Sequence, residues 1–278
     1  MKIHDPSTTD WELASTHRTP DLRIKKLLQD AADREFEFNL AEFSSDDFFS
    51  PRHRHNFDQI RIQLDGVSTY GQDPDLEPGT LAYFPEGTYY GPLGVKKGPT
   101  LQAIIQFGGA SGCEYVNYQR LDAATAELRD EGTFDRGVFT RIRDDGTHEN
   151  TDAYQASWER ATGTSMHYPE PRFVTPLYAS HVNFPWQPTD AEGVETKHLF
   201  TVSETHTGVS MLRLGAGAHH TIDGGPQPSV FFTLEGSFHL GAGETYRQYT
   251  ALLVEADDRV SVATQDGATL LELHLPLK

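Results

Sequence analysis

The sequence predicts an all-β chain of two β-barrel or jelly-roll domains joined by a partly helical connector, and three observations carry that expectation. Short segments that alternate apolar and polar residues, separated by Pro, Gly and Asp turns, fill residues 34–114. The same texture returns over 177–278, as a repeat of architecture more than of sequence. Between them, over 115–176, two stretches read as helices. Period-two alternation at short spacing is the pattern of half-buried strands in a sandwich or small barrel.

Residues 1–33 are polar and mixed in charge and read as an N-terminal arm or edge segment, with a short amphipathic turn in DLRIKKLLQDAA. The N-terminal domain then opens on REFEFNLAEF, where Phe36, Phe38 and Leu40 alternate with Glu35, Glu37 and Asn39. Next comes PRHRHNFDQIRIQLDG, residues 51–66. In an extended chain it places His53, His55, Gln59, Arg61 and Gln63 on one side and Ile60, Ile62 and Leu64 on the other. Such a polar face is costly to bury dry, so it is expected to line a wet cavity or hold an ion. The strands TLAYF and TLQAIIQF complete this domain, and the second again puts the amides Gln102 and Gln106 on one face.

In the connector, LDAATAELRDEG and NTDAYQASWERATG read as helices, the second capped by Asn150 or Thr151. GTFDRGVFTRIRDDG between them reads as a hairpin, and YPEPRFVTP closes the segment. Six further strands follow, in KHLFTVSE, VSMLRLGAG, SVFFTLEGSFHLG, YTALLVEA, DRVSVATQ and ATLLELHLPL, while LGAGAHHTIDGG reads as a loop.

The chain has 278 residues, ample for a real core, and its 16 Phe, 11 Tyr and 24 Gly fit folded β structure despite a hydrophobic content of 37%. Its formal charge of −18, from 41 acidic against 23 basic residues with no basic block, argues against nucleic acid and anionic membrane as partners. The acidity itself reads as solubility or salt adaptation. One cysteine, Cys113, leaves no internal disulfide and no Cys-rich zinc site, and it has no evident His or Asp partner for nucleophilic chemistry. The first residues lack the apolar core of a signal peptide and no run of eighteen apolar residues occurs, so a cytoplasmic protein is expected.

Two motifs in the N-terminal domain resemble those of the cupin superfamily. The first, His-x-His, a carboxylate four residues on and then Gly, is met by His53, His55, Gln59 and Gly66; the second is met by Gly79, Pro85, Gly87 and Tyr90. The resemblance implies two cupin-type domains, the second degenerate. Aligning Gly236 with Gly66 there puts Ser229, Asp223 and Gly225 where the first domain has Gln59, His53 and His55. It also implies one divalent metal ion, iron first, with copper, nickel, manganese and zinc as alternatives, held by His53, His55 and Gln59. Tyr90 would act as further ligand or proton donor. The implied activity is metal-dependent turnover of a small organic molecule, with oxygenase chemistry leading and isomerase or lyase chemistry open. A homodimer is implied by the same likeness.

Gln59 and Tyr90 depart from the family's Glu and His. A glutamine brings no charge to offset a divalent cation, and a phenol near pKa 10 needs the metal to deprotonate it. Three readings therefore stand: a metal site that includes Tyr90 or Gln106, a metal-free pocket that binds or turns over a small molecule without catalysis being required, or surface histidines near a loop. Gln63, Gln102 and Gln106 are expected to bind substrate. Arg61, pointing inward, needs an anion: either a substrate carboxylate or a structural pair with Glu35 or Glu37.

Overall fold

The computed structural model describes residues 1–14, 22–30, 36–43, 48–241 and 243–276. The chain divides into two compact units, one of Trp11–Ala179 and one of Met1–Asp10 with Ser180–Lys278. Each is built on a large β-sheet.

In the first unit the strands β1 (Leu22–Asp30), β2 (Phe36–Phe43), β3 (Phe57–Tyr70), β4 (Thr80–Phe84) and β5 (Leu93–Gly108) run in the sheet order β4–β3–β5–β2–β1. All these pairs are antiparallel. Two helices, α1 (Tyr118–Leu128) and α2 (Ala153–Thr162), follow. In the second unit β6 (Val194–Thr201), β7 (Gly208–Leu214), β8 (Ser229–Leu240), β9 (Ala251–Val254) and β10 (Ala268–His274) take the order β9–β8–β10–β7–β6. The all-β class with two sheet-built domains is as expected from the sequence; both sheets are open paths and not closed barrels, and their long strands bend. No described helix is long and apolar enough to cross a membrane.

The bends occur at the two glycines that the sequence aligned. Gly66 has φ +67° and Gly236 φ +74°, and the pairing of β3 with β5 shifts register on either side of Gly66. A Cβ at Gly66 would lie 2.5 Å from the Pro99 carbonyl oxygen, and one at Gly236 would lie 2.1 Å from that of Gly267. Only glycine combines the left-handed backbone with so close an approach.

Three local expectations are corrected. The amphipathic turn expected in DLRIKKLLQDAA is instead a strand, Leu22–Asp30, against β2, while Lys2–His4 pairs with Ala251–Leu253 at a sheet edge. A register shift between Lys26 and Leu28 buries both Leu27 and Leu28, which gave DLRIKKLLQDAA its helix-like spacing. The cap of α2 is Asp152, the last residue of the preceding strand, whose carboxylate accepts from the Gln155 N–H at 3.0 Å, and not Asn150 or Thr151 within that strand. LGAGAHHTIDGG contains the strand His219–Asp223, paired with Arg259–Ala263.

The region read as a connector packs into the first unit. Tyr115, Val116, Leu121, Tyr154 and Trp158 form one buried cluster with Phe57. The Pro-rich segment is pinned through Arg172, which donates to Asp58 at 3.1 and 3.3 Å and to the Tyr83 hydroxyl at 2.8 Å. Asp58 is fully buried and also accepts from Tyr83 and from the Glu86 N–H. Gly87 faces the same segment, where a Cβ would lie 2.3 Å from the Pro169 carbonyl oxygen.

Two outcomes follow for stability. Gly66→Ala should destabilise the chain by about 2–4 kcal/mol, from the left-handed backbone plus the clash, read as a lower denaturant midpoint at unchanged slope. Arg172→Met should cost about 3 kcal/mol, because it strands a buried carboxylate, whereas Asp58→Asn together with Arg172→Met should recover part of that loss in the same unfolding measurement.

Candidate functional site

Backbone pairing brings the two motif segments together. His53 N–H donates to the Tyr90 carbonyl at 3.1 Å and Tyr90 N–H donates back at 3.0 Å, while Gly87 N–H donates to the His55 carbonyl at 2.8 Å. Extended backbone on both sides of this bridge turns His53, His55 and Tyr90 inward, toward Gln59 and Arg61 on β3. All five are buried, with His53 at 6% and His55 at 8% relative exposure, so the surface-histidine reading does not hold.

The side chains meet around the Tyr90 hydroxyl. Gln59 Nε2 lies 2.6 Å from it, His53 Nε2 2.9 Å, His55 Nδ1 3.0 Å and an Arg61 terminal nitrogen 3.4 Å. The directions of the bonds made by Arg61, Gln59 and His53 are set from the two ends of the network. Arg61 has only donors, and its Nε–H donates to Gln59 Oε1 at 3.1 Å. That turns the Gln59 amide NH₂ toward Tyr90, and toward His55 Nδ1 at 3.3 Å. At the other end the Pro51 carbonyl lies 2.6 Å from His53 Nδ1 and can only accept, so His53 carries its proton on Nδ1. Its Nε2 lone pair then faces Tyr90, whose hydroxyl donates to it.

Arg61 is 6% exposed, and its three hydrogen bonds go to Gln59, Tyr90 and the Tyr70 hydroxyl at 3.0 Å. No described carboxylate is paired with it. Of the two expected partners, Glu35 lies outside the described residues. Glu37 instead accepts from the Tyr115 hydroxyl at 2.9 Å and the Tyr118 N–H at 3.0 Å. Burial pushes the Glu37 carboxyl above its ordinary range, against those hydrogen bonds, which biases it toward its neutral form. The same burial pushes the Tyr118 hydroxyl up to about 12. Burial opposes the charge of Arg61, but the Tyr70 and Tyr90 hydroxyls beside it outweigh that, and the guanidinium stays ionised.

A cavity of about 80 Å³ opens beside this network. His53, His55, Arg61 and Gln106 supply its polar wall, and Phe43, Phe48, Phe57, Leu93, Ile104 and Tyr115 are part of its apolar one. At roughly 10–15 Å³ per water-sized occupant, it has room for a small organic molecule. Gln106 lines the cavity. Gln63 and Gln102 do not line it: Gln102 Nε2 donates to Gln63 Oε1 at 2.8 Å and Gln63 Nε2 to the Asp65 carbonyl at 2.5 Å, because one amide can satisfy another when both are buried.

The cupin motif implies a metal held by two His, a carboxylate and a late His, and three donors here are close enough to share one ion: His53 Nε2, His55 Nδ1 and the Tyr90 oxygen. Gln59 does not complete the set, since Arg61 holds its oxygen and leaves an NH₂ group facing the histidines. The described residues bring no three of His, Cys, Asp and Glu together as ligands. A divalent ion there would also sit beside a permanent guanidinium with no described carboxylate to offset either charge.

Sequence reading missed Tyr70, Tyr115 and Tyr118. Tyr70 lies on β3 beyond the Gly66 bend, where the register shifts break period-two counting from Arg61. The other two come from the stretch read as a connector, and only their proximity to the long-range partner Glu37 reveals them.

No family model matches the chain, and no curated protein sequence matches it. Solved structures do. One, from Nostoc punctiforme and assigned provisionally as a dioxygenase, is 13% identical with TM-score 0.62, covering 99% of this chain and 83% of that one. The oxalate decarboxylase of Bacillus subtilis is 10% identical with TM-score 0.59 over 99% and 76%. A Pseudomonas aeruginosa protein, assigned provisionally as glyoxylate-induced, is 12% identical with TM-score 0.59 over 99% and 91%. A further structure of the same decarboxylase concerns its Mn(II) centres. With alignments that run through both units, the chain shares the two-domain fold of these structures, a bicupin fold.

Proposed function

We propose that the pocket of the first unit binds a small organic carboxylate with an apolar body, and that Arg61 is its charge partner. The observation that carries this is the buried guanidinium that no described carboxylate neutralises, set in the wall of a largely apolar cavity. A buried charge needs a counter-charge or extensive hydrogen bonding, and three neutral partners leave the net charge uncompensated. An anion entering the cavity supplies it. Tyr90 and Gln59 steady the guanidinium, and the Tyr90 hydroxyl, which donates to His53 Nε2, can pass its proton along a preformed bond if the ligand reacts.

A second reading, a divalent metal held by His53, His55 and Tyr90 in a metal-dependent enzyme, draws on their convergence within 3.0 Å and on the Mn(II) centres of the decarboxylase relative. An ion there would act as a Lewis acid toward a chelating ligand. A small-molecule ligand is common to both readings, and a homodimer stays a proposal by likeness to cupins.

Titrating acetate, isovalerate and benzoate against thermal unfolding separates them. Benzoate and isovalerate should stabilise the chain more than acetate does, unchanged by chelator. Arg61→Met should weaken that binding by about 30-fold or more, in line with losing one partner of a buried charge pair, while the apolar replacement keeps the fold. Stabilisation that survives Arg61→Met sinks the carboxylate reading. Stabilisation abolished by chelator, with metal content lost in His53→Ala, would replace it by the metal site.

A further inference from the structure

Strand register places the two units in correspondence residue by residue. In the first unit, rows across β3, β5 and β2 read Gln59–Gln106–Glu37 and Arg61–Ile104–Asn39. In the second, rows across β8, β10 and β7 read Ser229–His274–Gly208 and Phe231–Glu272–Ser210. The count along β3 and β8 from Gly66 and Gly236 is the same in both. These rows lie on the face that sends Leu212, Phe231 and Leu270 into the core. Where the first unit sets a cation, Arg61, beside a neutral Ile104, the second sets a neutral Phe231 beside an acid, Glu272. The sign of the inward charge is inverted.

The Glu272 side chain is 24% exposed, and no described group donates a hydrogen bond to it. Cross-strand pairing seats it between Ser210 and Phe231, and His274 Nε2 lies 3.8 Å from its Oε1. His274 Nδ1 is 3.0 Å from Ser229 Oγ, and Ser210 Oγ is 3.1 Å from His198 Nδ1. Gly208, in the row position of Glu37, leaves space for the His274 ring, since a Cβ there would come within 3.2 Å of it. Burial pushes Glu272 up to about 7; burial and then His198 push His274 down, so no imidazolium stands ready to pair with the carboxylate. When His274 carries its proton on Nδ1 toward Ser229, its Nε2 faces Glu272 across 3.8 Å as a second acceptor. The described residues bring no three metal-binding groups together, so a metal ion lacks its ligands. An ammonium group, with one charge and several N–H donors, matches a carboxylate, a neutral imidazole nitrogen and a hydroxyl.

We infer that the second unit carries a ligand site of its own, in which Glu272 takes an organic ammonium group and His274 and Ser210 accept its remaining hydrogen bonds beside the Phe231 ring. The site uses no residue of the Arg61 pocket, and its test does not depend on that reading. Ethylammonium chloride titrated into the full chain at pH 8, against sodium chloride at equal ionic strength, should give a saturable shift in one histidine ring signal, assigned to His274 by its loss in His274→Gln. Glu272→Gln should weaken binding at least ten-fold and Ser210→Ala a few-fold. Lowering the pH to 5.5 should weaken it at least ten-fold too, because Glu272 then gains a proton; the titratable groups facing it are His274 and, beyond Ser210, His198. If Glu272→Gln unfolds, the pH comparison on the unmodified chain decides. A shift no larger than that with sodium chloride, equal binding at both pH values, or full binding by a folded Glu272→Gln overturns the inference.

Discussion

A guanidinium with no described carboxylate partner organises the inside of the first unit. Arg61 cannot accept a hydrogen bond or lose its proton, so every group that hydrogen-bonds to it must present an acceptor. Gln59 turns its carbonyl to it, which commits the amide NH₂ to Tyr90 and His55; Tyr90 then donates its hydroxyl hydrogen to His53, whose other nitrogen is held by the Pro51 carbonyl. One side chain without an acceptor and one carbonyl without a donor thus set the direction of the whole chain of bonds. The departure of this sequence from the cupin ligand set is coherent in that light, since a glutamate at position 59 would pair with Arg61 and cancel the charge that the cavity otherwise exposes to a ligand.

The rest of the fold holds that network dry and in place. The bend at Gly66 lets β3 continue past the site and return Tyr70 to Arg61. The bridge between His53 and Tyr90 depends on the turn at Gly87, and that turn is backed by the segment that Arg172 pins to Asp58. Burial does two things at once here: it strengthens each bond by excluding water, and it raises the cost of leaving any charge unmatched. The acid nearest in kind, Glu37, is drawn off by Tyr115 and Tyr118 and biased toward neutrality by the same burial.

The two units show how one strand scaffold carries opposite chemistry. Equivalent rows put polar groups at equivalent register positions, but Arg61 and Glu272 stand on strands whose counterparts are neighbours, and each has a neutral residue where the other has its charge. The backbone geometry that makes this possible, a left-handed glycine at the bend of each long strand, is shared, while the side chains are not. A degenerate metal motif in the second unit is therefore compatible with a site of another kind.

Period-two alternation, the spacing of Gly66 and Gly236 and the paired motifs were enough to read an all-β bicupin chain, its inward polar face and the convergence of His53, His55, Gln59, Arg61 and Tyr90, because each depends on residues a few positions apart or on a known motif pair. Where a register shift interrupts the alternation, local reading failed: Leu27 and Leu28 looked helical, and Tyr70 could not be counted from Arg61. The choice of Arg61's partners lay beyond the sequence too. Glu37 is two strands away from β3 and was an equal candidate until tertiary packing gave its carboxyl to Tyr115 and Tyr118. Which way the Gln59 amide turns was likewise decided only by what stands opposite it. Alternation along one strand says which residues face inward; which of them meet, and which charge is left without a partner, is set by pairing between strands far apart in the chain.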